Sequence, residues 1–362
     1  MPRILTVVGA RPQFIKAAAV SRAIAAHGAG DVSESILHTG QHFDANMSDV
    51  FFTELGIPVP KFNLGISGGT HGAMTGRMIE GIETIIATDK PDWLLIYGDT
   101  NSTLAGAIAA AKLHVPVAHV EAGLRSFNMR MPEEINRILS DRISSLLFCP
   151  TAIAEANLRA EGLVEGIHNV GDVMYDVAMH YKAQASAESN ALNRLGVMPQ
   201  GFVLSTCHRA ENTDNPLRLR GILAALSEIA IEIPVVFPLH PRTRKIIADR
   251  DLAHLMAGLI LTDPLPFLDM VALEQAAALV VTDSGGVQKE AFFYGVPCVT
   301  MRDETEWVET VDLGWNVIAG ANREVIVQVA HAFLANPPVA ARDAPYGQGN
   351  AAVRIVETLA AA

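Results

Sequence analysis

Trp93-Leu94-Leu95-Ile96-Tyr97 runs directly into Gly98-Asp99-Thr100, and an Ala- and Gly-rich stretch, Ser102–Leu113, follows. Five consecutive apolar residues ahead of a glycine read as a strand buried on both faces, and small residues let the next helix lie close on a sheet. The same arrangement recurs outward in both directions. Ile4-Leu5-Thr6-Val7-Val8 ends at Gly9, and Pro12 suits the first turn of a helix through Ile15, Ala19 and Ile24 to about His27. A strand near Ser35–Thr39 leads to a loop with Gln41 and His42, and Val115–Val120 closes on Glu121-Ala122-Gly123. Further on, Phe202–Ser205, Pro234–Pro238 and Leu279–Thr282 read as strands, each followed by polar residues and a helix. Strand and helix alternating in this way predict an α/β chain with parallel sheets covered on both faces.

A chain of 362 residues is long enough for two domains. The junction reads near Gly171–Tyr175, after a strand-like Asn169-Val170, and the segment 181–200 reads as an exposed helix of the second domain. The stretch Gly349–Ala362 reads as a helix with Val353, Ile355 and Leu359 on one side. Two such halves leave a cleft at the carboxyl ends of their strands, where these folds bind ligands. With 27 Lys+Arg against 39 Asp+Glu, the net charge of −12 argues against a general nucleic-acid or anionic-membrane binder. Cys149, Cys207 and Cys298 lie far apart, form no metal spacing, and read as reduced core residues of a cytosolic protein. The opening MPRILTVV is too short an apolar run for a signal peptide, and Lys112, His114 and His119 break the Ala-rich segment 104–120 that comes nearest to a membrane span. The expectation is a soluble cytoplasmic protein.

Chemistry-bearing residues gather after strands. Gly9-Ala10-Arg11-Pro12 places a cation there, Asp99 and Glu121 place carboxylates, and Cys207-His208-Arg209-Ala210-Glu211-Asn212 repeats the arrangement in the second half. A strand-tip carboxylate serves either a site or the N-cap of the next helix, and for Asp99 both readings stand. Asp283-Ser284-Gly285-Gly286 opens the helix Val287–Phe293, so it is either a seat for an anion on free N–H groups or a glycine turn with a serine cap. Pro132-Glu133-Glu134 begins a helix whose apolar positions are Ile135, Ile138, Leu139 and Ile143, with Glu133 spaced to pair with Arg137. His42 and His240 are lone loop histidines. Gly28-Ala29-Gly30 lacks a third glycine at Ser33, so no dinucleotide fingerprint is present, and neither a metal motif nor an acyl-transfer motif occurs. What remains is an acidic enzyme that binds a phosphorylated small molecule in an interdomain cleft, with no cofactor and no metal.

Seven ordered blocks carry a resemblance: Val8-Gly9-Ala10-Arg11-Pro12, Thr39-Gly40-Gln41-His42, Gly98-Asp99-Thr100, His119 to Arg125, Pro132 to Arg137, His208 to Asn212 and Thr282 to Gln288. Over essentially the whole chain it resembles the non-hydrolysing UDP-N-acetylglucosamine 2-epimerases. The resemblance implies a GT-B fold of two Rossmann-like doubly wound domains, residues 1–172 joined by the returning helix 349–362, and a UDP-binding domain of residues 173–348. It implies a homodimer acting on a UDP-sugar for surface polysaccharide supply, by eliminating UDP to a 2-acetamidoglucal and adding it back. It assigns Asp99, Glu121, Glu133 and His208 to catalysis, and Arg11, Lys16, Ser284, Gly285, Gly286 and Glu290 to UDP. Members also carry a second, activating UDP-sugar site, part of which Gln41, His42, Arg209 and His240 match. Departures are Gln13 for the family's Glu, Asp172 for Asn, and Trp307 where many relatives have Arg near the diphosphate. Together with Val287-Gln288-Lys289-Glu290 they resemble the subgroup acting on UDP-2,3-diacetamido-2,3-dideoxyglucuronic acid, which stands as the alternative to UDP-N-acetylglucosamine. The remoter alternatives are a GT-B glycosyltransferase, a hydrolysing epimerase and a sugar-nucleotide sensor.

Overall fold

The computed structural model describes residues 2–27, 32–41, 57–339 and 344–362, with Arg11 described by its backbone. Each long apolar run becomes a strand of one of two parallel sheets. β1 (Arg3–Val8) pairs with β2 (Ser33–His38), Ile4 opposite Glu34, and with β4 (Trp93–Tyr97), Leu5 opposite Leu94. With β3 (Phe62–Asn63), β5 (Val117–Val120), β6 (Leu146–Cys149) and β7 (Ile167–Asn169) they form a sheet ordered β3-β2-β1-β4-β5-β6-β7. The second sheet contains β8 (Val203–Thr206), β9 (Val235–Pro238), β10 (Ile260–Thr262), β11 (Leu279–Thr282), β12 (Cys298–Thr300) and β13 (Asn316–Ile318), ordered β10-β9-β8-β11-β12-β13. Strand order reverses between β1 and β4 in the first sheet and between β8 and β11 in the second. Carboxyl ends at such reversals are where open α/β sheets hold ligands.

The first sheet is flanked by α1 (Arg11–Ala26), α2 (His71–Asp89), α3 (Asn101–Lys112), α4 (Pro132–Ile143) and α5 (Ala152–Ala160). Small residues let α3 approach closely: a Cβ at Gly106 would stand 3.1 Å from the Ile96 methyl. Then come α6 (Val173–Glu188), α7 (Ala191–Leu195), α8 (Ala210–Thr213), α9 (Pro216–Ile229), α10 (Pro241–Asp249), α11 (Phe267–Ala276), α12 (Gly285–Tyr294), α13 (Val308–Asp312), α14 (Arg323–Ala335) and α15 (Ala351–Ala361). Contacts divide the chain into Met1–Val177 with Ala344–Ala362, and Ala178–Asp343, so the first crossing falls inside α6. The sequence reading set these boundaries at 172/173 and 348/349.

Two readings of faces and lengths change, and α4 shows an unusual burial pattern. The segment 181–200 is the end of α6 and then α7, separated where the Ser189 hydroxyl turns to Asp269 (2.6 Å) and accepts the Ala191 N–H (3.1 Å) instead of continuing a helix. Most of its residues are exposed, as the sequence reading expects, while Tyr181, Ala185 and Ala191 are buried on its inner side. In α15, Ala351, Ala352, Ile355, Val356 and Leu359 are buried while Val353 faces outward. In α4 the polar residues Glu134, Asn136, Arg137, Ser140 and Asp141 are buried, and Ile135, Leu139 and Ile143 are exposed by 41%, 45% and 38%. All three cysteines are buried and unpaired.

Candidate active site

The first unit's candidate residues lie at the tips of β1, β4 and β5. Thr100, not Asp99, is the N-cap of α3, accepting the Thr103 N–H at 3.2 Å. Asp99 is thereby released from capping, and its Oδ2 accepts Arg137 Nε and Nη2 at 3.1 and 2.7 Å. The same guanidinium donates through Nη1 to Glu134 Oε2 at 2.7 Å. Arg137 therefore pairs with Glu134 and Asp99, not with Glu133 as its spacing in the sequence implied. Glu134 is spent on structure, because its carboxylate accepts the Ser126 and Phe127 backbone N–H groups at 2.8 to 3.1 Å. Glu133 is half-buried in the first turn of α4. Its side chain forms no hydrogen bond or ion pair with another described residue.

Glu121 follows β5 with φ +71°, the left-handed region that costs a non-glycine residue about 1 kcal/mol or more. Its N–H and that of Ala122 donate to the Phe148 carbonyl at 3.0 and 3.1 Å, which holds the turn. The Glu121 carboxylate forms an ion pair with Lys16 of α1. Gly98, at φ +60°, lies against this pair: a Cβ there would stand 3.2 Å from both Glu121 Oε2 and Lys16 Nζ. Gln13 joins the tips of β1 and β4. Its Oε1 accepts the Gly9 and Ala10 N–H groups at 2.8 and 3.0 Å, while Nε2 donates to the Tyr97 carbonyl and Thr103 Oγ1 at 2.9 and 3.0 Å. A carboxylate at position 13 would face that carbonyl with no proton to offer. Gln41 Oε1 accepts Ser102 N and Oγ at 3.0 and 2.8 Å, at the start of α3. The side chain of Arg11, and all of His42, lie outside the described residues.

In the second unit the fully buried Asp283, at the end of β11, organises the loop after β8. It accepts the His208 N–H at 3.0 and 3.1 Å, the Arg209 N–H at 3.0 Å and Asn212 Nδ2 at 3.1 Å. His208 Nδ1 stands 3.5 Å from Asp283 Oδ1 and 46% of its side chain is exposed. Loss of water around the ring, then the nearby Arg209 and His240, lower its pKa below the ordinary histidine value against the pull of Asp283. Ser284 is the N-cap of α12, its hydroxyl 3.5 Å from Val287 N, and Gly286 is exposed in the first turn. Near Gly285, a Cβ would lie 3.5 Å from Trp307 Nε1 and 3.8 Å from Arg302 Nη1, and near Gly286 one would lie 3.8 Å from Glu290 Oε2. Trp307 is buried beneath Lys289, whose Nζ lies 4.0 Å from the ring centroid. His240 is the N-cap of α10 and accepts Arg242 N–H through Nδ1 at 3.2 Å.

Each unit thus offers different chemistry at its reversal point. The first holds carboxylates at Asp99, Glu121 and Glu133 with cations at Lys16 and Arg137, which suits proton transfer. The second holds a glycine-rich helix start beside an imidazole, which suits an anionic group. Among the described residues no three His, Cys, Asp or Glu side chains converge as a metal site. The residues that spacing alone missed are Gln13, His119, Glu134, Asp141 and Asp283. Each acts on a segment distant in sequence or on backbone N–H groups, and neither leaves a local pattern.

Comparison with known proteins gives this geometry its relatives. The UDP-N-acetylglucosamine 2-epimerase family matches residues 24–360. The UDP-2,3-diacetamido-2,3-dideoxy-D-glucuronate 2-epimerase of Pseudomonas aeruginosa is 56% identical over 363 residues, covering 99% of both chains. The crystal structure of Methanocaldococcus jannaschii UDP-GlcNAc 2-epimerase in complex with UDP-GlcNAc and UDP has a TM-score of 0.91 at 40% identity, covering 99% of this chain and 100% of that one. The Neisseria meningitidis enzyme bound to UDP-GlcNAc also has a TM-score of 0.91, at 30% identity and with 99% and 100% coverage. The chain belongs to the UDP-N-acetylglucosamine 2-epimerase family of isomerases.

Proposed function

We propose that the chain inverts C2 of a UDP-2-acetamido sugar without hydrolysing it, and that its substrate is UDP-2,3-diacetamido-2,3-dideoxyglucuronic acid. The observation that carries the choice of sugar is the 56% identity, end to end, with the P. aeruginosa enzyme named for that substrate. UDP-N-acetylglucosamine is the second reading, favoured by the relatives crystallised with it. Trp307 against Lys289, in place of an arginine near the diphosphate, supports the uronate subgroup.

The C2 proton of such a sugar has no neighbouring carbonyl and is a weak acid. Loss of UDP from C1 relieves this. A carboxylate takes the C2 proton, the C2–H electron pair becomes the C1–C2 double bond, and the C1–O bond breaks with its electrons passing to the diphosphate. Returning a proton to the opposite face of C2, and UDP to C1, completes the inversion. Asp99, Glu121 and Glu133 are the candidate acids and bases. Lys16 pairs with Glu121, and Arg137 with Asp99. Arg11, Lys16, Ser284, Gly285, Gly286 and Glu290 bind UDP, with Glu290 at ribose hydroxyls, and His208 stabilises the departing diphosphate. An activating role for Gln41, His42, Arg209 and His240 belongs to the same proposal.

The enzyme is further proposed to be a cytoplasmic homodimer that supplies a surface-polysaccharide precursor. Three buried, unpaired cysteines support a reducing compartment, and the outward stripe Ile135, Leu139 and Ile143 supports a partner surface. No described helix is long and apolar enough to cross a membrane.

Proton NMR in deuterated buffer tests the reading, with each UDP-sugar in its own tube. Deuterium at C2 together with the manno epimer is expected, faster with the diacetamido uronate. Faster exchange with UDP-N-acetylglucosamine would reverse the choice of sugar. Exchange in neither tube would sink the epimerase reading for both sugars.

A further inference from the structure

We propose that His119 is a positioning residue, protonated on both ring nitrogens, that fixes the turn carrying Asp99. His119 lies on β5 and is 0% exposed, as is Asp141 of α4. Its Nε2 is 2.7 Å from the Gly98 carbonyl oxygen, and its Nδ1 is 2.7 Å from Asp141 Oδ1. A carbonyl only accepts, so Nε2 must donate. A carboxylate also only accepts, so Nδ1 must donate as well unless Asp141 is itself protonated.

The surroundings of Asp141 favour its anion. Its Oδ2 accepts the Gly123 N–H at 3.1 Å and Arg125 Nη1 at 2.7 Å. Burial alone would push this carboxyl up, but the hydrogen bond from His119 and the charge and hydrogen bond of Arg125 outweigh burial and hold it below the ordinary carboxylate value. Both partners of the ring are therefore filled acceptors, and the form that satisfies both is the imidazolium. Arg125 is balanced on its other side by Glu161, at 2.7 and 2.8 Å.

The ring is a strut between two parts of the candidate site. At one end, Gly98 is held through its N–H to the Val120 carbonyl (3.0 Å) and through its carbonyl to His119, so the chain leaves it in one direction only, towards Asp99. At the other end, Asp141 anchors α4, whose first turns present Glu133 and the Arg137 that grips Asp99. Lys16 and Glu121 close the far side of Gly98. A loosened strut frees the spacing between the Asp99 and Glu133 carboxylates. A displacement near 1 Å is enough to cost on the order of 100-fold in rate.

Neutron diffraction from the perdeuterated full chain at neutral pH tests the protonation directly. Deuterons are expected on both Nδ1 and Nε2 of His119; a single ring deuteron, or one on Asp141, would overturn the proposal. The kinetic arm rests on the epimerase reading. His119→Phe keeps the ring volume and donates to neither partner. It should lower kcat roughly 100-fold while KM and UDP affinity stay within about twofold of wild type. An unchanged kcat, or kcat and UDP affinity falling together, would remove the positioning role. Should that variant not fold, the neutron map decides alone. Wild-type protein that exchanges no C2 proton would count against the epimerase reading and leave the protonation of His119, as the neutron map shows it, untouched.

Discussion

Asp99 and Glu34 are both carboxylates of the first sheet, yet their surroundings set them to opposite uses. Asp99 keeps one oxygen for Arg137 and has 31% of its side chain exposed, so it is held in place and within reach of a ligand. Asp99→Asn should lower kcat by 10²-fold or more, on the order expected for a positioned acid–base group, with UDP affinity measured by calorimetry nearly unchanged. Near-normal turnover would take Asp99 out of the reaction. Glu34, on β2, accepts the Thr6 hydroxyl at 2.5 Å, and burial pushes its carboxyl above the ordinary 4.5 in spite of that bond. Below 4.5 both folded and unfolded chains hold the proton. As pH rises the unfolded chain releases it first, so this contribution to stability declines until the folded value is passed. Urea midpoints of wild type and Glu34→Gln compared between about pH 4 and 7 should therefore move in favour of the variant as pH rises; a difference constant with pH would refute the assignment. Asp99 and Glu121 stand out in sequence because each ends an apolar run. Glu34 and Asp141 do not, because what governs them is contacts with Thr6, 28 residues away, and His119, 22 residues away.

At the scale of elements, α4 turns the ordinary rule inside out. Its apolar positions have helical spacing, the pattern that ordinarily marks the face a helix turns to the core. The core side is instead taken by Glu134, Arg137 and Asp141, whose partners are Asp99, Ser126, Gly123, Arg125 and His119. Periodicity reveals that a helix has two faces; which one goes inside depends on partners elsewhere in the chain. The proposed homodimer would cover this outward stripe with a second protomer. Leu139→Glu should then shift the protein towards monomer in sedimentation, with its far-UV circular dichroism preserved; an undiminished dimer would place the interface elsewhere. The long strands of both sheets are legible because burial on two faces demands unbroken apolar runs. β3, β7, β10, β12 and β13 have two or three residues each, too few to show any period.

Over the whole molecule, the first unit is made from the beginning and the end of the chain, and the second from one continuous stretch between them. The closing helix α15 packs on α1, and its first N–H groups, Ala351 and Ala352, donate to Asp176 at 3.2 and 2.8 Å. Ile355 is fully buried there, so Ile355→Ala should cost about 2–5 kcal/mol of stability in the first unit. Hydrogen exchange should show the loss in the first sheet; protection falling only in residues 178–343 would contradict it. During synthesis the order of events follows from the same layout. The unit begun first is the last to be finished, because the ribosome must deliver the whole second unit before α15 emerges. Until then α1 keeps an apolar side uncovered while the second unit already has every residue it needs. A chain interrupted between the second unit and α15 would therefore be released with one finished unit and one open, adhesive one, so quality control of this enzyme should be sensitive to loss of residues 351–361.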